Sequence, residues 1–115
     1  MPDCNAPRGT AMSAERQHLP NRRRAESFNF QCGGHNYTAT IGFFPGTDQL
    51  AEIFLGNGRA GSDVDAAAKD SAVVASVALQ FGVPAETIRH ALLRDGRGTA
   101  SSPLGVALDH FADAK

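Results

Sequence analysis

Along the middle of the chain, apolar and polar residues alternate with a period of two, and then change to a helical period. Phe28, Phe30 and Cys32 alternate with Asn29 and Gln31, so the first set falls on one face of a strand and the second on the other. Gly33-Gly34 supplies the positive φ of a tight turn. Tyr37, Ala39, Ile41 and Phe43 then alternate with Thr38, Thr40 and Gly42, which completes a hairpin. Pro45-Gly46-Thr47-Asp48 reads as a second turn, and beyond it Ala51, Ile53 and Leu55 alternate with Leu50, Glu52 and Phe54. The expectation is a three-stranded antiparallel meander, with Leu50 on the face opposite Ala51, Ile53 and Leu55.

The run Gly56 to Gly61, GNGRAG, breaks the third strand. Ser62, with Asp65 three positions later, has the form of a capping box and places acidic groups at the positive end of a helix dipole. The helix is expected from about Asp63 to Phe81, where Val64, Ala67, Ala68, Ser71, Val74, Ala75 and Ala78 recur at helical spacing. From Ala72 to Leu79 the only polar residue is Ser76, so the second half is apolar nearly all round and needs cover on more than one side. Gly82 stops it, and Pro84 starts a second helix with Ile88, Ala91 and Leu92 facing inward, ending near Arg94. Asp95 to Ser102 reads as a connection, and Pro103 starts a short helix through Leu108 and Phe111. The fold class is α+β: a three-stranded antiparallel meander followed by two to three helices packed on one face.

Length and composition bound the rest. In 115 residues there is room for one core, and 42% apolar with 20% charged residues is the composition of an ordinary globular domain. Residues 1–25 hold Pro2, Pro7, Pro20 and the run Arg22-Arg23-Arg24 without hydrophobic periodicity, and are expected to be a disordered basic tail ahead of one domain over 26–112. A net charge of -1 gives no global attraction for nucleic acid or anionic membrane. No segment approaches a membrane span and no signal-peptide run opens the chain, so a cytoplasmic location is the expectation. Cys4 and Cys32 make neither a disulfide framework nor a close-spaced metal pair, and no His-x-x-x-His or Cys-x-x-Cys spacing occurs; no metal and no cofactor are expected.

Two stretches offer binding chemistry. The GNGRAG loop leads from a strand to a helix N-terminus and carries Arg59 as a counter-charge, which makes Asn57, Arg59 and Ser62 candidate anion or nucleotide ligands, with His35 at the hairpin turn alongside. It lacks the Gly-Lys-Ser/Thr ending of a triphosphate loop. The segment ASVALQFGVPAETIRHALLR has the spacing of a helix-turn-helix around Gly82, with Arg89, Arg94 and Arg97 placed for phosphates. The same spacing serves any two helices joined by a short turn, and the apolar first helix argues against DNA. Cys32 lacks an assured base and the serines lie near no signature turn, so no catalytic residues are assigned.

GGHNYTATIGFF followed by LAEIFLGNGRAGSDVDAAAKDSAVVASVALQFGVP resembles the C-terminal module of cobalamin-dependent ribonucleotide reductases, in the order Gly-Gly-His hairpin, Glu-Ile-Phe strand, glycine turn, long helix and Gly-Val-Pro break. Over roughly Glu26 to Asp109 the chain is also similar to the stand-alone bacterial proteins of the TSCPD-domain family. The Thr-Ser-Cys-Pro-Asp string that names the family is absent, and Cys32 is the one cysteine inside the matching region. Ribonucleotide reduction, as the resemblance implies it, needs a radical cysteine, a reducing cysteine pair and a carboxylate in a large barrel. The implied role is therefore a non-catalytic accessory or regulatory module of deoxynucleotide metabolism and DNA synthesis. It would act as a homodimer or other homo-oligomer, or through a reductase-type partner, with a nucleotide as a further candidate ligand.

Overall fold

The computed structural model describes residues 15–59 and 61–114. Three antiparallel strands in the order β1-β2-β3 are formed by β1 (Ala25–Cys32), β2 (His35–Phe43) and β3 (Leu50–Gly56); three helices follow, α1 (Asp63–Gln80), α2 (Ala85–Ala91) and α3 (Pro103–Asp113). The α+β meander expected from the alternation is therefore the fold. Gly33 and Gly34 both have positive φ, 59° and 80°, which gives the two-residue hairpin turn whose twist matches the flanking strands.

Register sorts the side chains. Phe28 faces Ala39, Phe30 faces Tyr37 and Ile41 faces Ile53, all on the side that the helices cover. The register slips between Gly42 and Phe43, so that Phe43 pairs with Leu50 while Gly42 pairs with Glu52. This bulge places both Leu50 and Ile53 in the core and leaves Ala51 as the extra residue. Strict alternation put Leu50 on the outer side; the bulge corrects that.

α1 lies along β3 and buries Ala68, Ala72, Ala75 and Leu79 against Ile53 and Leu55. Alanine on this stripe brings the helix axis close to the strand. Three buried polar residues of α1 face the outer edge of β3, where they complete backbone hydrogen bonding. Ser76 Oγ accepts from Ile53 N–H at 2.9 Å and donates to Ile53 C=O at 3.0 Å, Gln80 Nε2 donates to Ala51 C=O at 3.2 Å, and Asp65 Oδ1 accepts from Asn57 N–H at 3.0 Å. The inner stripe is thus 65, 68, 72, 75, 76, 79 and 80, which shares Ala68 and Ala75 with the residues that recur at helical spacing in the sequence. Val64 and Val74, of that same set, are exposed at 37% and 69%, and Val73 at 57%. A helix apolar on all sides does not declare its inner face by hydrophobicity; here the backbone groups of β3 select it.

α3 covers β1 and β2 with Leu104, Ala107 and Leu108, its Ser102 N-cap accepting from Gly105 N–H at 3.2 Å. α2 is shorter than expected and ends at Ala91, which is exposed; Ile88 and Leu92 are half-buried. The chain from Leu92 turns back in a small loop closed by a bridge between Arg94 and Ala100. Residues 15–24, assigned by composition to a disordered tail, lie against the domain: Gln17 N–H donates to Gln80 C=O at 2.8 Å, and Arg16 and Arg23 donate to Gln80 and Glu52. Polar partners rather than apolar burial place them there. Among the described residues no helix is long and apolar enough to cross a membrane.

Candidate functional site

The β3–α1 loop forms as a strand-to-helix turn, with Gly58 and Gly61 at φ of 75° and 86°, where side chains are disfavoured. Its candidate ligands are engaged internally. Asn57 Oδ1 accepts from Arg59 N–H at 2.9 Å, an Asx turn, and Ser62 Oγ accepts from Asp65 N–H at 3.1 Å as the N-cap of α1. The other half of the capping box is diverted: the Asp65 carboxylate does not return to Ser62 but takes Asn57 N–H and a 2.9 Å ion pair with Lys69. The Lys69 ammonium and the Asn57 amide hold the Asp65 carboxyl below its ordinary range. One of the loop amides that a phosphate would need, Asn57 N–H, therefore faces an anion already in the chain, and Arg59 N–H is taken by Asn57. The Arg59 residue is exposed.

His35 is the cross-strand partner of Cys32 and sits edge-on to Tyr37 at 6.4 Å between ring centroids. Burial pushes the Cys32 thiol up, away from the thiolate that nucleophilic chemistry requires. Both residues lie on the helix side of the sheet. A groove of about 460 Å³ at the same end opens on the other side, lined by Asn29, Asn36, Thr38, Gly56 and Asn57, and neither His35 nor Arg59 lines it. Of the anion set, the structure brings together Asn57, Arg59 and Ser62 and leaves His35 apart.

The arginines of the helix-turn-helix reading meet a carboxylate invisible to local pattern. Arg94 reaches Asp109 with both terminal nitrogens, at 2.7 and 2.8 Å, and Arg89 Nε reaches the same group at 2.7 Å. The Arg94 hydrogen bonds, reinforced by Arg89, lower Asp109 to about 2 against the opposing effect of burial. Arg89 also pairs with Glu86 at 3.2 Å. These guanidinium groups join α2, the following loop and α3, and are committed to that joint. Arg97 is exposed, its backbone N–H held by Asp95.

Two surfaces are left open to a partner. One is the outer face of α1, with Val73 and Val74. The other is the sheet face away from the helices, where Ser27 and Thr40 hydroxyls meet at 2.9 Å, Thr38 donates to Asn29 at 2.8 Å, and Phe54 is 52% exposed. A third feature, a hollow of about 440 Å³ beside the C-terminal end of α3, has Phe28, Ile41, Phe43 and Phe111 at its floor and Arg24, Asp48 and His110 at its rim. Arg24 lies 3.9 Å over the Phe43 ring, and His110 stacks on Phe28 at 4.0 Å. Among the described residues, no three His, Cys, Asp or Glu side chains gather as a metal-binding group.

Over 75 residues the chain is 36% identical to the vitamin B12-dependent ribonucleotide reductase of Agrobacterium fabrum, a match to 65% of this chain and 6% of that protein. Over 73 residues it is 29% identical to the vitamin B12-dependent ribonucleotide reductase of Rhodopirellula baltica, covering 64% of this chain and 7% of that one. The chain is similar to a segment of these reductases. It spans only a small fraction of the length of the reductases it matches, so the likeness concerns one segment and not the whole enzyme. No protein-family model matches the chain, and no solved structure matches it.

Proposed function

We infer that this chain is a non-catalytic accessory or regulatory binding module of the TSCPD type, tied to deoxynucleotide synthesis through a ribonucleotide reductase. The observation that carries this reading is the pair of matches to B12-dependent reductases, each confined to 6–7% of the reductase length. In those proteins such a segment is joined to a much longer chain, and this domain exposes apolar side chains on the outer face of α1, where Val73 and Val74 stand in water. Docking of that face, on a reductase chain or on a second copy, would remove it from solvent. The module would work by binding, in the cytoplasm, without a cofactor of its own.

The nucleotide-loop reading loses support because Asp65 and Asn57 already take the Asn57 and Arg59 amides of the loop, and the nucleic-acid reading because Arg89 and Arg94 are held by Asp109. The test is capture of a B12-dependent ribonucleotide reductase on the tagged full chain, identified by mass spectrometry, alongside light scattering of the chain alone. Capture of the reductase, or a dimer, supports the reading. A strict monomer that retains no reductase ends it.

A further inference from the structure

Arg23 makes the most complete side-chain contact in the segment 15–24. Its Nε and one terminal nitrogen grip the two oxygens of Glu52, at 2.5 and 3.1 Å, while the other terminal nitrogen donates to Pro20 C=O at 2.6 Å. The receiving carboxylate is built into the sheet: the Glu52 side chain is 8% exposed, whereas that of Arg23 is 26% exposed. Space for it exists because its cross-strand partner is Gly42. A Cβ at Gly42 would lie 2.5 Å from Glu52 Oε2 and 2.8 Å from its Cγ. A bare backbone on one strand and a buried acid on the next form a slot with fork geometry, the arrangement that suits guanidinium over ammonium.

Elsewhere the segment that fills this slot is held largely by polar contacts of exposed side chains, Arg24 on Asp48 among them. Residues 15–24 are exposed apart from the half-buried Leu19, and their other links to the domain include two bonds to Gln80 and one from Phe43 N–H to Arg24 C=O. A hollow of about 260 Å³ remains between this strap and the sheet, lined by Arg16, Leu19, Arg23, Glu52 and Gln80. Beyond the slot, the same sheet face continues with Phe54 and Thr40, exposed and half-buried, which gives a floor for an extended peptide.

We propose that the Glu52–Gly42 slot is a guanidinium-binding site for an arginine-bearing peptide, that Arg23 of the strap is its exchangeable resident, and that the strap of a second copy is the ligand it takes in trans. The complementarity is displayed in cis by the chain itself, so an identical strap meets an identical slot, and exchange changes the connection rather than the contact. A self-ligand of this kind also sets a threshold: an incoming peptide competes with a resident at high effective concentration. The proposal does not depend on the link to reductases.

The experiment uses the full chain carrying Arg23→Ala and follows its melting temperature with four additives: ethylguanidinium, ethylammonium, a peptide of residues 15–24, and the same peptide with alanine in place of Arg23. The variant is expected to melt below the wild type, and the native peptide and ethylguanidinium to restore it saturably, the peptide at lower concentration. Adding Glu52→Gln is expected to abolish both responses. If Arg23→Ala does not fold, Arg23→Lys keeps a cation without the fork, and the native peptide should still raise its melting temperature. A native peptide no better than the alanine peptide, an equal response to ethylammonium, or a response that survives Glu52→Gln overturns the proposal.

Discussion

Ser76 and Ile53 exchange two hydrogen bonds through a single hydroxyl, which accepts the strand's N–H and donates to its carbonyl. Both atoms of Ile53 belong to the core, and no water replaces a hydroxyl lost from there. Ser76→Ala is therefore expected to cost about 1–3 kcal/mol, the penalty for leaving buried backbone groups unpaired. Urea unfolding should show a lower midpoint with an unchanged slope. Ser71, whose hydroxyl donates back to Ala68 C=O at 2.8 Å, is the control; alanine there is expected to be neutral or slightly stabilising, since it is the better helix former. Equal losses at both positions would refute the edge role of Ser76.

Gly42 is required by a neighbour rather than by its backbone conformation. A methyl group at this position meets the Glu52 carboxylate at 2.5 Å, so Gly42→Ala is expected to destabilise by about 1–3 kcal/mol, as overpacking does. The loss should shrink in a Gly42→Ala, Glu52→Ala double variant, where the clash is gone; a double-mutant cycle with no coupling would contradict the contact.

Asp109 links pH to the joint between α2 and α3. Its folded value of about 2 lies below the ordinary 3.8, so the proton binds the unfolded chain more readily. The contribution is complete above about pH 4 and is lost as pH falls through the range from 3.8 toward 2. Asp109→Asn is expected to be less stable at pH 7 and to show a shallower acid loss than the wild type. Chemical denaturation at steps from pH 6 to pH 2 measures both, and parallel profiles would mean that the two arginines do not act through this carboxylate.

Val73→Asp with Val74→Asp tests the exposed side of α1. Each side chain is more than half exposed, so folding should shift by no more than about 0.5 kcal/mol per site. Association with a reductase, the docking proposed for this face, is expected to be lost when measured by co-purification. Association that survives both aspartates would move the interface elsewhere.

The parts legible in the sequence were those whose signal is local. Alternation over 28–32 and 37–43, paired glycines and a Ser-to-Asp cap fix a hairpin and a helix start because each is decided within a few residues. The bulge opposite Gly42 was not legible, since it arises from pairing between strands and leaves no mark in β3 itself; it moved Leu50 across the sheet. The inner face of α1 was only partly legible because the exposed Val64 and Val74 are as apolar as the buried Ala68 and Ala75, and the deciding partners are backbone groups of β3. Asn57 and Ser62 were recognised for chemistry they have, but it serves the loop and the helix cap. Arg89 and Arg94 could not be told from phosphate contacts without Asp109, twenty and fifteen residues away in sequence. The strap was missed because its attachment is polar, and apolar periodicity is blind to that.

The seam between α1 and β3 also orders events during synthesis. Residues 50–56 leave the ribosome before residues 63–80, so until the helix docks, Ile53 and Ala51 present unpaired groups along a strand that another nascent chain could extend. Damage to Asp65, Ser76 or Gln80 would then show itself in yield and inclusion-body content before it shows in the properties of whatever folded protein survives.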